Sequence, residues 1–584
     1  MDEQNAIQKR RIILPNFSER ILSFLTFAIY IITMLIFEIG YCNASNMVNI
    51  VNRNFNEITY NFSLCRLIMY IVILILVGTF RKRFVNDAIE TLEKNKYKKI
   101  FTYLYLFLGA LTIIVASIIV AKFPLLSRGM SIGMMAVLIG AIVAIYISNN
   151  ILKNVIIITL NLGMIFSIST NFNHAIDEKK HFMTAFNIAF GNFDYAENPI
   201  TDSGIEQLPQ ISKFSTINPF LEKKYEPNIT NEVNKEDIPS TPAEYNCLGY
   251  LPAALGIFIG KTLGGSIIDI YIMGRIFNLV FYTFLITIAL KLIPYKKNIF
   301  AVIFLMPMAL VLSSTYSIDG YCIGTVAIFI AYCLKLKHEK ETINLKEFCI
   351  LVGLFLLMLT AKSMAYILVG CIALILPIKE TLKKNKKYLP IIIITSIIAA
   401  IILVIGIIAV KNTHIKEDTR AAGDISVSGQ INSILHNPVL DIKVAANHIK
   451  NTFLNMNWYK MLHDDKFFTE NCQVVLIPLM LFMLYVAITE DDYNFKISNK
   501  VVMILTFLFV YGMTSLVLYL SFSPVGSLNI GGYQTRYIIP ILPLLLFCLS
   551  SNNIIVKNKE NRNFNITIVS GIFVMLGIMQ SILV

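Results

Sequence analysis

The stretch of the sequence best suited to chemistry is IDEKKHF, which places Asp177 and Glu178 shortly before His181. It follows an apolar run at 151–170 and opens a long polar stretch. In a helix that begins at Asp177, this residue and His181 share one face because they are four residues apart. A carboxylate and an imidazole so placed can share a proton or hold a polar substrate group. The alternative is a hydrated helix end beside a membrane, where charged residues are common.

Other polar side chains occur at the edges of apolar runs or inside them. They are Arg275, Asp319, Lys362, Gln534 and Arg536. The three cations are candidate phosphate ligands, and arginine can bind phosphate through two parallel hydrogen bonds. Structural alternatives exist, since Arg275 can extend to the membrane surface and Arg536 can be an ordinary flanking charge. Asp319 can cap a helix, and His181 can pack against its own loop. Lys362 is harder to explain in this way because an apolar block surrounds it.

The composition indicates a membrane protein with many spans. Of the 584 residues, 56% are hydrophobic and only 15% are charged, and the mean hydropathy is +0.66. The net charge of +13 comes from short basic clusters between apolar runs, which is typical of membrane topology and not of nucleic-acid binding. The nine cysteines form no metal-ligand spacing. The basic amino-terminal segment leads into an apolar run without a cleavage site, which predicts an uncleaved first helix.

The apolar runs predict an all-α polytopic protein with about thirteen to fifteen transmembrane helices. The predicted spans lie near 21–41, 64–80, 101–121, 131–148, 151–170, 271–292, 298–313, 321–336, 389–410, 473–488, 501–521, 537–550 and 564–583, with two short spans in 348–377. Because a lysine at the centre of a lipid-facing helix costs several kcal/mol, the two short spans are expected to meet near Thr360–Met364, with Lys362 facing outward.

The basic clusters orient these spans. Those at 9–11, 81–83 and 94–99 fall on one side, which the positive-inside rule makes cytoplasmic together with the amino terminus. Two extracytoplasmic loop regions follow, at 171–270 and 411–472. Leu248–Lys261 is expected to lie along the outer interface, because a single span after it returns the basic KLIPYKKN to the cytoplasm. All the candidate site residues then lie at the outer side.

Five pieces of sequence resemble a family of bacterial predicted membrane proteins of unknown function, which fold similarity places near the GT-C glycosyltransferases. The pieces are IDEKKHF, EYNCLGYLPAALGIFIG with GRIFN, PMALVLSSTYSIDGY, TAKSMAYI and GGYQTRYIIPILPLLLF. In that family the first piece has a proline on each side of its acidic pair. Here the first proline is absent and Lys179 stands in place of the second. The resemblance covers about 151–550, so residues 1–150 form extra amino-terminal helices beside a GT-C-like module at 151–584.

The resemblance implies a transferase that moves a sugar from a polyprenyl-phosphate donor to an acceptor on the outer face of the bacterial plasma membrane. The acceptor would be an envelope glycopolymer, lipid or protein, and membrane lipids would surround the site. It implies Asp177 as the base, with Glu178 as a rival and His181 beside them. Arg275, Asp319, Lys362, Gln534, Arg536 and Tyr250 would bind substrate or lipid phosphate. Two external carboxylates and a phosphate donor could recruit Mg²⁺ or Mn²⁺.

Two other classes of function remain open from the sequence. A transporter or flippase of envelope precursors would place charged or broken helices near the bilayer midplane, often in two related halves. No internal repeat is visible, and the charges gather at one side. A non-catalytic partner in envelope assembly is the third class, and the altered acidic motif is its main support.

Overall fold

The structure is a computed structural model. It describes residues 14–46, 62–122, 128–202, 224–230, 242–384, 425–454, 473–549 and 561–583 apart from positions 174, 176 and 244, and also 49, 52, 54–57, 60, 390 and 554. The α-helices of these residues are α1 (Leu14–Ser45), α2 (Leu64–Lys94), α3 (Lys96–Lys122), α4 (Arg128–Tyr146), α5 (Ile151–Ser169), α6 (Glu178–Ala189), α7 (Leu251–Thr262), α8 (Ile267–Leu292), α9 (Lys297–Phe304), α10 (Pro307–Ser313), α11 (Asp319–Glu339), α12 (Leu345–Tyr366), α13 (Ile378–Lys384), α14 (Val427–His436), α15 (Pro438–Ile449), α16 (Gln473–Thr489), α17 (Ile497–Phe522), α18 (Leu542–Leu549) and α19 (Arg562–Leu583).

Within the described ranges, nine helices are long and apolar enough to cross a membrane. They are α1 to α5, α8, α11, α17 and α19. Shorter apolar helices lie at Leu251–Thr262, Ile477–Thr489 and Thr535–Leu549. These helices confirm the prediction of an all-α polytopic membrane protein. The span predicted at 389–410 lies outside the described residues apart from position 390, and the loop predicted at 411–472 is described only at 425–454.

Prolines break two of the predicted spans. The span predicted at 298–313 is not one continuous helix, because α9 ends at Phe304 and α10 begins at Pro307. Proline has no backbone N–H and disfavours a helical conformation at the residue before it, so it starts a new helix here. In the span predicted at 537–550, the 3₁₀ helix Thr535–Ile541 contains Pro540 and precedes α18.

The break predicted within 348–377 is confirmed. The backbone of α12 leaves helical geometry at Lys362, with φ −141° and ψ 73°, and a 3₁₀ helix, Ile367–Ile375, follows it. Helix α7 has 12 residues and is about 18 Å long, too short to cross a bilayer. Its Leu255 and Phe258 are exposed on one side, as expected for a helix that lies along the interface.

The core of the molecule lies around α8 and α11, which pack against each other and against α5 and α12. Helix α11 is buried along nearly its whole length, whereas α2 and α3 are mostly exposed. A short antiparallel pair, β1 (Thr201–Asp202) and β2 (Ile229–Thr230), lies in the polar region after α6. Its register pairs Thr201 with Thr230.

A buried ion cluster ties the amino-terminal helices to α8. The guanidinium of Arg66 in α2 donates to Glu38 of α1 at 2.7 Å and to Asp269 of α8 at 3.1 Å. Asp269 also completes the capping box that begins α8, since its backbone N–H donates to Ser266 and its carboxylate accepts from the Ser266 N–H. We call this cluster the Arg66 bridge. It joins residues of the first 150 positions to the beginning of a central helix.

Candidate functional site

Three charged side chains from distant parts of the chain meet at the beginning of α11. The Nζ of Lys362 contacts Oδ1 of Asp319, and Nε of Arg536 lies 3.4 Å from Oδ2 of the same carboxylate. About a tenth or less of each side chain is exposed. We call these residues the Asp319 cluster. A buried carboxylate between two cations keeps its charge because the cations replace the lost hydration.

Local structure brings each member to this point. Asp319 lies in the first turn of α11, where its backbone N–H donates to Ser317 Oγ at 3.1 Å. Lys362 is the residue at which α12 breaks, and Arg536 lies in the 3₁₀ helix after the polar stretch SFSPVGSLNIGGYQ. Each residue therefore sits where a regular helix begins or is interrupted. Such positions let a side chain reach a neighbouring element that a straight helix would not present.

His181 and two tyrosines form a second group beside the cluster. The Nδ1 of His181 lies 2.6 Å from the hydroxyl of Tyr250, and both residues are buried. The ring of His181 is nearly parallel to that of Tyr245, with centroids 6.0 Å apart. Burial lowers the pKa of His181 to about 4, so its imidazole is neutral at pH 7. A neutral imidazole donates one hydrogen bond through one ring nitrogen and accepts one through the other.

Electrostatic coupling joins the two groups. Asp319 and Asp177 raise the pKa of His181, whereas Lys362 and Arg536 lower it. Burial, which also lowers this pKa, is the largest of these effects. Asp177 precedes α6 directly and has a left-handed backbone, with φ 55°. This conformation is uncommon for a residue with a side chain, and the half-buried side chain of Asp177 makes no capping hydrogen bond to α6. Because α6 begins at Glu178, Asp177 lies outside the helix and the predicted shared helix face of Asp177 and His181 does not form; the contact between them is the His181 N–H, which donates to the Asp177 backbone carbonyl at 3.1 Å.

Glu178 and Arg275 form a separate, fully buried pair. Two nitrogens of Arg275 donate to Oε1 of Glu178, at 2.9 and 2.7 Å. The guanidinium also donates to three backbone carbonyls at the end of α5, those of Ser167, Thr170 and Asn171. Every donor nitrogen of Arg275 thus has a protein acceptor. We call this pair the Glu178 brace, and its geometry suits a structural connection and leaves no guanidinium edge for a phosphate.

The Glu178 brace also holds the segment before α11. Oε1 of Glu178 accepts from the Tyr316 N–H at 3.2 Å, and Oε2 accepts from the Ala175 N–H at 3.2 Å. It therefore connects the end of α5, the beginning of α6 and the loop that leads to Asp319. A displacement of Glu178 would move Asp177 and Asp319 relative to each other.

A cavity of about 540 Å³ lies next to the Asp319 cluster. Its wall comes from the broken part of α12, from the carboxyl-terminal half of α17 and from three tyrosines. The lining residues are Tyr245, Asn246, Leu356, Leu359, Thr360, Ala361, Lys362, Ala365, Tyr366, Thr514, Val517, Leu518 and Tyr537. The Nζ of Lys362 is 4.6 Å from the ring centre of Tyr537 and 5.9 Å from that of Tyr245. One cation in an apolar and aromatic wall suits a ligand that has both an anionic group and a hydrocarbon part.

The sequence did not single out Tyr245, Tyr366 and Tyr537, which shape this cavity. The hydroxyl of Tyr366 donates to the carbonyl of Tyr537 at 2.8 Å and so holds the two sides of the wall together. Its position directly after the candidate residue Arg536 was the signal by which the sequence could have pointed to Tyr537. Gln534 precedes this segment, and its buried Oε1 meets no hydrogen-bond donor among the described residues.

The carboxylates of the site do not suit a divalent metal. In the part of the chain that the structure describes, no three His, Cys, Asp or Glu side chains converge. Asp319 is held by two cations and Glu178 by Arg275, so each carboxylate already has its charge offset. Mg²⁺ and Ca²⁺ are held by several oxygens together. We therefore derive no step that depends on Mg²⁺ or Mn²⁺.

Comparison with known proteins gives one match. A family model described as "Predicted membrane protein (DUF2142)" matches residues 160–545, which is 386 of the 584 residues. The matched range contains Asp177, His181, Tyr250 and the whole Asp319 cluster. Neither the curated proteins nor the solved structures searched give a match.

Proposed function

The chain belongs to the DUF2142 family of predicted membrane proteins, and we propose that it is a membrane glycosyltransferase of the GT-C type. It would take a sugar from a polyprenyl-phosphate donor and pass it to an envelope acceptor on the outer face of the membrane. The proposal rests on the Asp319 cluster and its cavity together with the motif resemblance. It extends the family description, which names a membrane protein and no activity.

The observation that carries the proposal is the position of Lys362 in the cavity wall. The formal charges of Lys362, Arg536 and Asp319 leave the cluster with a net charge of +1, which matches the single negative charge of a phosphodiester between a sugar and a polyprenol. The apolar lining supplied by α12 and α17 suits the first part of a hydrocarbon chain. When the sugar leaves the phosphate, negative charge develops on the phosphate oxygen, and nearby cations stabilise that charge.

Asp177 is the proposed base. As the hydroxyl oxygen of the acceptor attacks the anomeric carbon, its proton passes to the Asp177 carboxylate. The new carbon–oxygen bond forms while the bond to the phosphate oxygen breaks, and the electron pair leaves with the polyprenyl phosphate. Attack from the opposite side inverts the configuration at that carbon. His181, neutral and held by Tyr250, would position the acceptor, and the Glu178 brace would hold the loop that carries Asp177.

The direct test is transfer of sugar by purified protein in a lipid bilayer, from polyprenyl-phosphate sugars to extracted envelope material. Arg536→Ala should reduce the use of the donor more than Arg536→Lys, because lysine retains the charge but not the bidentate geometry. Exposed Lys384→Ala is the matched control and should leave transfer unchanged. Equal activity of both Arg536 variants and the parent protein would remove Arg536 from the site. Absence of transfer from every donor offered would contradict the proposed activity.

A flippase or carrier of lipid-linked precursors is the second candidate. The observation that favours it is the break of α12 at Lys362, since interrupted helices with a charged residue beside a cavity are typical of transporters. Movement of a fluorescent polyprenyl-phosphate lipid across proteoliposomes, without any glycosylated product, would support this function.

A non-catalytic assembly partner would show neither activity. Deletion of the gene, followed by analysis of cell-surface glycopolymers, would then reveal changed amount with unchanged linkage.

A further inference from the structure

Helices α14 and α15 are attached to the rest of the protein through one face. Gln430 of α14 is fully buried, and its Oε1 accepts from the Gly526 N–H at 2.9 Å. In α15, Nε2 of His448 lies 2.8 Å from Oγ of Ser515 in α17. The His448 ring stacks on Tyr511 at 5.2 Å between centroids. Val444, one turn before His448, is buried on the same face.

The opposite face is apolar and exposed. In α15, Val439 is 66% exposed, Ile442 70% and Ile449 50%. Ala446 is exposed between them, so the spacing of three, four and three residues forms one stripe along the helix. Leu435, at the end of the preceding helix α14, is 73% exposed as well. Exposure of such an apolar stripe to water is energetically unfavourable, and it is unusual for a helix that already packs through its other face.

The attachment of His448 gives the depth of α15. Ser515 lies seven residues before Phe522, where α17 ends, which corresponds to about 10 Å along the helix axis. Because α17 is long and apolar enough to span the membrane, its last 10 Å lie at the boundary between headgroups and acyl chains. Amphipathic interfacial helices lie at a similar depth, with their apolar face buried by roughly 5–10 Å.

Helix α17, to which α15 is attached, also has exposed apolar side chains. Leu508, Phe509 and Leu516 of that helix are between 42% and 50% exposed, as expected for side chains in contact with lipid. Lys443 lies on α15 beside the stripe and is exposed.

From the attachment, the stripe and the depth we infer that α15 is seated in the leaflet at the carboxyl-terminal end of α17, with Val439, Ile442 and Ile449 in contact with lipid acyl chains. The occupant of this face is therefore the bilayer itself. The inference does not depend on the proposed glycosyltransferase activity, because none of these residues belongs to the Asp319 cluster or its cavity. It assigns a membrane-binding role to a helix in a region that the sequence predicts to be an external loop.

Tryptophan fluorescence tests the inference, because the chain contains one tryptophan, Trp458. In a full-length Trp458→Phe background, Ile442→Trp places the reporter on the stripe and Lys443→Trp places it on the adjacent polar edge. Both proteins are reconstituted in phosphatidylcholine bilayers whose acyl chains carry bromine close to the headgroup. We expect Ile442→Trp to lose roughly half or more of its emission. Lys443→Trp should keep most of its emission and be quenched by aqueous acrylamide.

Two results would overturn the inference. Quenching of Ile442→Trp by acrylamide but not by brominated lipid would place the stripe in water. Protection of Ile442→Trp from both quenchers would mean that a protein surface, from a partner or a second copy, covers it. If Ile442→Trp does not elute as a monodisperse protein, Val439→Trp on the same stripe replaces it, and the same three outcomes apply.

Discussion

At the scale of residues, the two neighbouring acids of IDEKKHF have different environments. Glu178 is fully buried and bound to Arg275, whereas Asp177 is half-buried and adopts a left-handed backbone. The resemblance implied Asp177 as the base with Glu178 as a rival, but the sequence could not show their different environments, because Glu178 is bound by a partner 97 residues away. Of the two acids, Asp177 is the more exposed to solvent, and Glu178 is tied to Arg275.

We expect Asp177→Asn to abolish sugar transfer while the protein remains folded in the membrane. Asparagine keeps the size of the side chain but cannot accept the proton of the acceptor, and loss of a general base commonly costs about 10²–10⁴ in rate. The measurement is transfer by purified protein at matched expression. Glu178→Gln is the informative comparison, because it should lower thermal stability as well as activity. Near-normal transfer by Asp177→Asn would exclude it as the base.

Stability should fall as the pH decreases from about 6.5 to about 4, in part because of His181. Its pKa is about 6.5 in an unfolded chain and about 4 in the folded protein, so the unfolded state binds a proton first within this window. The contribution of the neutral imidazole is complete above pH 6.5. Below pH 4 this contribution is fully lost, which lowers the free energy of unfolding by ~3 kcal/mol.

Melting temperatures of the protein in detergent between pH 4 and pH 7 test this dependence. His181→Gln should make the decrease shallower, although His448, whose pKa burial also lowers to about 4, will still contribute. Exposed His436→Gln is the control and should leave the curve unchanged. A curve for His181→Gln that overlays that of the parent protein would contradict the assignment.

At the scale of elements, the sequence predicted the break of α12 but not the contact between Lys362 and Asp319 that forms there. The cost of a lysine in an apolar block located the interruption correctly at Lys362. That Lys362 meets Asp319, 43 residues earlier, depends on the packing of α12 against α11, and no local pattern contains this information. The division of the predicted 298–313 span shows the opposite case, because Pro307 was a visible local signal that the apolar pattern outweighed.

Gly256 allows α7 to pack closely against α8. A Cβ at this position would lie 2.5 Å from the carbonyl oxygen of Met273 and 2.9 Å from Cα of Gly274. Because these are backbone atoms, one helix must move, and we expect Gly256→Ala to cost about 1–3 kcal/mol of stability. Gly512→Ala in α17 is the matched control, since no atom lies within 4 Å of its Cβ.

Thermal unfolding of the two glycine variants gives the comparison directly. Gly512→Ala should be neutral or should stabilise the protein by up to ~1 kcal/mol, because alanine restricts the unfolded chain more than glycine does. If Gly256→Ala melts at the same temperature as Gly512→Ala, the close approach of α7 and α8 is not a determinant of stability.

At the scale of the whole molecule, composition and hydropathy were sufficient to predict the fold class and the positions of the long apolar helices. Apolar runs of bilayer length predicted the positions of α1 to α5, α8, α11, α17 and α19, because each such run must satisfy its backbone groups within itself. The arrangement of these helices could not be predicted in the same way. It depends on buried contacts such as the Glu178 brace and the Arg66 bridge, which connect residues distant in sequence.

The sidedness of the membrane is the prediction that belongs to this scale. In a background without native cysteines, Glu197→Cys and Asn432→Cys should react with a membrane-impermeant maleimide in intact cells. Lys94→Cys and Lys384→Cys should react only after the membrane is permeabilised, since basic clusters remain in the cytoplasm. All four positions are exposed in the structure, so burial does not bias the comparison. Labelling of Lys384→Cys in intact cells would contradict the outward position of Lys362.

The Arg66 bridge also imposes an order of events during synthesis. Glu38 is made only 28 residues before Arg66, whereas at roughly 5–20 residues per second a ribosome needs about 10–40 s to reach Asp269, which lies 203 residues later. Arg66 therefore enters the bilayer as a neutral pair with Glu38, and its second carboxylate arrives after α3 to α7 have been made. We expect Glu38→Gln to increase degradation of the shortest nascent chains in a pulse-chase experiment. Asp269→Asn should spare these chains and affect only full-length protein, and an equal effect on both would argue against this order.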